Sequence, residues 1–176
     1  MDYLHDALAG LLTYPDADYR LRLDECRHDL SDCVPEAASL LGQFIEQIAG
    51  LSVEELEELY THTFDLNPVA SLEVGWHLFG ENYSRGEFLV LMRQQMRRLG
   101  VEETTELPDH LTLVLRTLAR MPTREADRFT SRYVLPALEK MLAGLGGKNS
   151  PYRFVLEAIR SVLTSPAAVS LEEAAS

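Results

Sequence analysis

The chain has 176 residues, of which 46% are hydrophobic and 25% charged, the balance of a single globular domain able to bury about 70% of its unfolded surface. A formal net charge of -12, from 16 Lys and Arg against 28 Asp and Glu, argues against polyanionic partners, so neither nucleic acid nor an anionic membrane surface is expected to bind. The start, Met1-Asp2-Tyr3-Leu4-His5, lacks the basic and apolar regions of a signal peptide, and charges interrupt every later run short of a membrane span, so a cytoplasmic protein is expected.

Apolar residues recur with helical period almost throughout. Leu4, Leu8, Leu11 and Leu12 share the face of a first helix that Pro15 closes, and a weaker segment follows over 16–31. Pro35 opens a third helix with Leu40, Leu41, Phe44, Ile45 and Ile48 on its core side. Ser52-Val53-Glu54-Glu55 is a capping box, predicting a helix with Leu56, Leu59, Tyr60 and Phe64 along one side. Ser84-Arg85-Gly86-Glu87 reads as a second box, starting a helix that carries Phe88, Leu89, Met92, Met96 and Leu99 and ends at Gly100.

Pro108-Asp109 begins the next helix, with Asp109 as its expected N-cap at about 1 kcal/mol of stability and Leu111, Val114, Leu115 and Leu118 beneath it. From Thr123 to Gly144 the period is unbroken except at Pro136, which should bend or divide the helix. Ser150-Pro151 is expected to cap a last helix on Val155, Leu156, Ile159, Val162 and Leu163, and 166–176 reads as a flexible acidic tail. No segment alternates with period two. The expectation is an all-α, single-domain bundle of about eight helices over residues 1–165, a monomer or a weak dimer.

Catalytic signals fail one by one, and no cofactor is expected. Gly144-Leu145-Gly146-Gly147-Lys148-Asn149-Ser150 suggests a phosphate loop, yet Leu142 and Asn149 stand where the Walker pattern needs Gly and Ser or Thr, and a helix end followed by a loop explains the glycines. Glu25-Cys26-Arg27-His28 has the Glu-x-x-His spacing of a di-iron helix in a single copy, where such a site needs two and two further carboxylates. A helical metalloprotein using Glu25 and His28 therefore stays as a subordinate alternative. Cys26 and Cys33 are two helical turns apart, which suits small buried hydrophobes better than redox or zinc chemistry.

One stretch is not a generic linker. Asp65 to Tyr83 gathers the only tryptophan, Trp76, with His77, Phe79, Gly75 and Gly80 into a connector between the two capping boxes. Aromatics with polar tips are what recognition hot spots are made of, although Trp76 and Phe79 could equally plug the bundle end. Together with Arg85-Gly86-Glu87-Phe88-Leu89 and Glu106-Leu107-Pro108-Asp109-His110-Leu111, and most strongly over Leu56–Leu89, the sequence resembles the nitrate reductase molybdenum cofactor assembly chaperones, the NarJ or delta-subunit family, across about residues 1–165.

In the wider group of helical chaperones for molybdenum reductases, a Tyr-x-x-x-Phe-like helix end and a Pro-Asp-His helix start flank a peptide-binding region. Tyr60, Phe64, Asp109 and His110 occupy those places here. The resemblance thus implies no catalysis. It implies a chaperone that binds the N-terminal peptide of the immature nitrate reductase alpha subunit and supports cofactor insertion, with cofactor-delivery proteins as further candidate partners. Asp65, Trp76, His77, Phe79, Tyr83, Arg85 and Glu87 join the expected peptide-binding set. Another molybdenum reductase as client is the alternative. Glu54, Glu55, Glu57, Glu58 and Asp65 could form an acidic rim for a basic peptide, or the four glutamates could simply favour their own helix N-terminus. Arg85, Arg93, Arg97 and Arg98 form a basic face, read as salt bridges or as a second contact surface.

Overall fold

The computed structural model describes residues 2–146 and 150–165. The expected tail, 166–176, and Gly147, Lys148 and Asn149 of the glycine loop lie outside them. The protein is all-α: α1 (Asp2–Gly10), α2 (Tyr19–Cys33), α3 (Pro35–Ile48), α4 (Val53–Tyr60), α5 (Val74–Phe79), α6 (Tyr83–Leu99), α7 (Leu111–Leu118), α8 (Thr123–Phe129), α9 (Leu135–Leu145) and α10 (Tyr152–Thr164). Two π-helical turns lengthen these elements, π1 (Thr61–Asp65) continuing α4 and π2 (Thr130–Val134) joining α8 to α9.

Packing follows the apolar faces. α3 lies between α2 and α10, α1 packs on α7 and α2, and α9 contacts α10 and α5. Leu4, Leu8, Leu11 and Leu12 are all buried, as are Leu41, Phe44 and Ile48 of α3 and Val155, Ile159 and Val162 of α10. Tyrosines of other helices finish the first one: the Tyr19 hydroxyl donates to the Leu11 carbonyl (2.8 Å) and the Tyr60 hydroxyl to that of Leu12 (2.9 Å). Tyr60, Phe64, Phe44 and Tyr152 form one aromatic cluster, with ring centroids 5.0–5.9 Å apart.

The Ser52 box forms as predicted, Glu55 N–H donating to the Ser52 hydroxyl (3.2 Å) and Ser52 N–H to the Glu55 carboxylate (2.7 Å). At the end of α6, Gly100 turns left-handed (φ 68°) and lets Val101 N–H return to the Met96 carbonyl at 2.9 Å.

Three local expectations are corrected. Asn82, not Ser84, caps α6, its side chain accepting from Ser84 N–H at 3.0 Å, so Ser84 already lies inside the first turn. Ser150 lends α10 only its carbonyl, which accepts from Arg153 N–H (3.1 Å). The connector before α6 contains a helix of its own, α5. Of the two outcomes expected at Pro136, division does not occur: the turn before it widens into π2, where Leu135 N–H reaches back to the Thr130 carbonyl, and the chain continues helically.

Candidate functional site

Segments far apart in sequence meet at π1, α5 and the start of α7. An antiparallel bridge pairs Glu73 with His110; Val74 N–H donates to the Asp109 carbonyl and Leu111 N–H to the Leu72 carbonyl, both at 2.8 Å. This stitch closes one side of a cleft of about 390 Å³ lined by Phe64, Asp65, Pro68, Ser71, Leu72, Glu73, Trp76, Arg85, Glu106, Leu107 and His110. Trp76 is oriented by its indole N–H, which donates to the Pro68 carbonyl (3.0 Å), and by the Arg85 guanidinium 5.7 Å from its ring centroid.

Asp109 lies behind the cleft with no exposed surface. Its Oδ2 accepts from Gly75 N–H (3.1 Å) and Arg85 Nε (3.2 Å), while Oδ1 finds no donor among the described residues. The N-cap of α7 is therefore His110 rather than Asp109: His110 Nδ1 accepts from Thr112 N–H at a long 3.4 Å and sits 2.8 Å from the Thr112 hydroxyl. Burial raises the Asp109 carboxyl above its ordinary range, and Arg85 opposes that shift. A Cβ on Gly75 would stand 2.7 Å from Asp109 Oδ2 and 2.9 Å from Phe88, so only glycine lets the α5 backbone approach this carboxylate.

The cleft is lined by carboxylates and apolar side chains together. Its carboxylates are Asp65, Glu73 and Glu106; Phe64, Leu72, Trp76 and Leu107 supply the apolar walls. Burial first, and then repulsion from Glu106 and Glu73, raises the Asp65 carboxyl. Of the proposed acidic rim, only Asp65 lines the cleft. Glu55 is engaged in its capping box, and hydrogen bonds from its own backbone N–H and the Ser52 hydroxyl lower Glu54, so these two serve the α4 N-terminus.

Phe64, Asp65, Trp76, Arg85 and His110 thus share the cleft, with Asp109 bracing it. His77 sits behind, its Nε2 2.7 Å from the Ser71 carbonyl and its own carbonyl accepting from Lys140 (2.7 Å). Tyr60 is in the aromatic core, its hydroxyl spent on Leu12. Phe79 and Glu87 line a different concavity, and Tyr83, 83% exposed, lines neither. The arginines of α6 form ion pairs: Arg85 with Asp109, Arg93 and Arg97 with Glu103, and Arg98 with Glu125. Glu25 and His28 are exposed on α2, and no group of three or more His, Cys, Asp or Glu among the described residues is placed to hold a metal ion. Burial pushes the Cys26 thiol up to about 12, which leaves it an inert core residue.

The family model of the nitrate reductase delta subunit matches residues 27–154. The chain belongs to the nitrate reductase delta subunit family. It is 29% identical over 154 residues to the nitrate reductase molybdenum cofactor assembly chaperone NarJ of Escherichia coli strain K12, covering 85% of this chain and 65% of that protein. With the probable NarJ chaperone of Bacillus subtilis strain 168 the identity is 28% over 159 residues, 89% of this chain and 86% of that one. The nitrate reductase-like protein NarX of Mycobacterium tuberculosis is 26% identical over 90% of this chain and 24% of its own length. The chain thus spans just under two thirds of the Escherichia coli relative, and no helix among its described residues is long and apolar enough to cross a membrane.

Sequence reasoning missed Glu73, Glu106 and Leu107 as lining residues, because the bridge that brings them together joins positions 37 residues apart. Two imidazoles at or behind the cleft should also make stability fall in acid. Burial lowers His77 and His110 below the ordinary imidazole value, with Ser71 opposing at His77 and Glu106 first among the opposing carboxylates at His110. Between about pH 6.5 and those lowered values the unfolded chain binds more protons than the folded one, so stability falls with falling pH there. Urea midpoints should drop from pH 7.5 to pH 6, and His77→Gln or His110→Asn should each flatten that slope; an unchanged slope in both variants would exclude the two histidines.

Proposed function

We propose that this protein is an assembly chaperone that holds the N-terminal peptide of the immature catalytic (alpha) subunit of a respiratory nitrate reductase in the cleft between Phe64 and His110 while molybdenum cofactor is inserted. Membership of the delta-subunit family carries the reading, and relatives over 85% and 89% of the chain are named as nitrate reductase cofactor assembly chaperones. The chemistry of the cleft supports it. Phe64, Trp76 and Leu107 suit the apolar face of an amphipathic peptide, and Asp65, Glu73 and Glu106 suit its basic residues. The function requires no bond making by the chaperone. The cytosol as its place of work, and cofactor-delivery proteins as further partners, belong to the same proposal.

Calorimetric titration with the alpha-subunit N-terminal peptide tests it. Saturable binding should weaken at least about tenfold in Trp76→Ala and in a Glu73→Gln, Glu106→Gln double variant, both checked for folding by circular dichroism. Binding that both variants leave unchanged would move the peptide elsewhere. Preference for the N-terminal peptide of another molybdenum reductase would reassign the client and keep the site.

A further inference from the structure

Across α5 from the cleft lies a second concavity, of about 440 Å³, between α5, α6 and π2. Leu78, Phe79, Phe88, Leu91 and Tyr133 wall it, and Arg132 and Glu87 stand among its lining residues. Its base is firm: Phe79, Phe88, Phe129 and Tyr133 contact one another with ring centroids 4.9–6.2 Å apart. It shares no residue with the cleft; α5 contributes Trp76 to one and Leu78 and Phe79 to the other. On α6, Val90 beside its lining residue Leu91 is 54% exposed.

Arg124, Arg128 and Arg132 follow one another at intervals of four along α8 and π2, and all three are exposed. Residues four apart share a helix face, so the row extends about 12 Å. Among the described residues none of the three forms an ion pair with a carboxylate, as Arg22, Arg85, Arg93, Arg97, Arg98, Arg153 and Arg160 do; Arg20, Arg27 and Arg116 form none either but are scattered, whereas these three make one row. Glu125, on the same helix, is already committed to Arg98. In a chain with 28 acidic and 16 basic residues, three successive arginines without a carboxylate partner run against the overall balance. The Arg132 guanidinium lies 5.1 Å from the Tyr133 ring centroid, so the row meets the wall of the groove.

We infer that the groove and the arginine row form a second docking surface, for an amphipathic helix of a partner protein with carboxylates along one edge and large apolar side chains beside them. Apolar residues one turn apart would fill the groove between Phe79 and Leu91, and carboxylates at the same spacing would meet Arg124, Arg128 and Arg132. The separation by α5 allows this helix and a ligand of the first cleft to be held together. Residues 166–176 of this chain offer only the adjacent pair Glu172 and Glu173, which can meet one position of a 12 Å row and not three.

The test is fluorescence anisotropy of a labelled synthetic helix of about 18 residues, leucine on one face and glutamate along its flank, titrated with the full chain. Binding should saturate, weaken with salt, persist in Trp76→Ala and fall at least about tenfold in an Arg128→Glu, Arg132→Glu double variant, whose exposed positions leave the fold intact. A sister peptide with lysine in place of glutamate should not compete. Absence of binding, equal binding of the two peptides, or indifference to the charge reversal would overturn the proposal. A tenfold gain on deleting 166–176 would instead name the chain's own tail as occupant, and a dimer in sedimentation equilibrium dissolved by the double variant would name a second copy; either overturns it. Since Trp76→Ala acts only on the first cleft, failure here and failure of the peptide assignment are separable.

Discussion

Replacing Gly144 by alanine should destabilise the protein by about 3 kcal/mol and lower its Tm by roughly 10 °C. Gly144 lies in α9 against the loop that precedes α5, and a Cβ there would stand 1.7 Å from the Val69 carbonyl oxygen and 2.5 Å from its carbon. The obstacle is main chain, so no rotamer change relieves it; α9 or the loop must shift. That loop carries Pro68 and Ser71 of the cleft, and the Pro68 carbonyl holds the Trp76 indole. Because Trp76 is the only tryptophan, its emission should change in the folded variant as well as report the earlier urea transition. Gly86→Ala is the control: an added Cβ there meets nothing within 4 Å, and removing glycine from the exposed side of α6 should stabilise by about 0.5 kcal/mol. If Gly144→Ala melts with the parent, the close approach of α9 to Val69 is not as described.

Asp109→Ala should also be severe, at about 3 kcal/mol, since it leaves the buried Gly75 N–H and the Arg85 guanidinium without their acceptor. Arg85 is itself 20% exposed and recovers some solvation, which keeps the loss at the lower end for a broken buried pair. Asp109→Asn discriminates between roles. An N-cap accepts asparagine in place of aspartate almost without loss, and even alanine at about 1 kcal/mol. A buried partner of arginine does not, so Asp109→Asn should lose roughly 1.5 kcal/mol, and adding Arg85→Leu to Asp109→Ala should recover part of the loss. Equal stability of the parent and Asp109→Asn by urea titration would restore the capping role.

Those two residues mark the boundary of what the sequence discloses. Helices with wide apolar stripes, such as α3 and α10, are legible because burial imposes a period that survives translation into any bundle. The Ser52 box is legible because both of its hydrogen bonds close within three residues. Asp109 stands where local rules put a cap, but the donors it serves are 34 and 24 residues away, and the adjacent His110 has the capping geometry. α5 escaped notice because only Val74 and Gly75 of its six residues are buried, too few to display a period. The aromatic stretch was recognisable by composition, yet its residues divide between two surfaces, since Trp76 and Phe79 leave a single short helix toward different neighbours. Gly144 resembled part of a helix end; its close approach to Val69 is a property of the packed chain alone.

The two main-chain hydrogen bonds that join residues 72–74 to 109–111 separate the shape of the cleft from its chemistry. Amide and carbonyl groups join the two walls without calling on the side chains of Asp65 or Leu107. Asp65 and Leu107 are exposed, so exchanging them alters charge and apolar contact at small expense, within about 0.5 kcal/mol at most surface positions. A lineage could therefore retune such a cleft to a diverging client by successive single substitutions, each tolerated by the fold, while the buried brace of Asp109, Gly75 and Arg85 stays fixed.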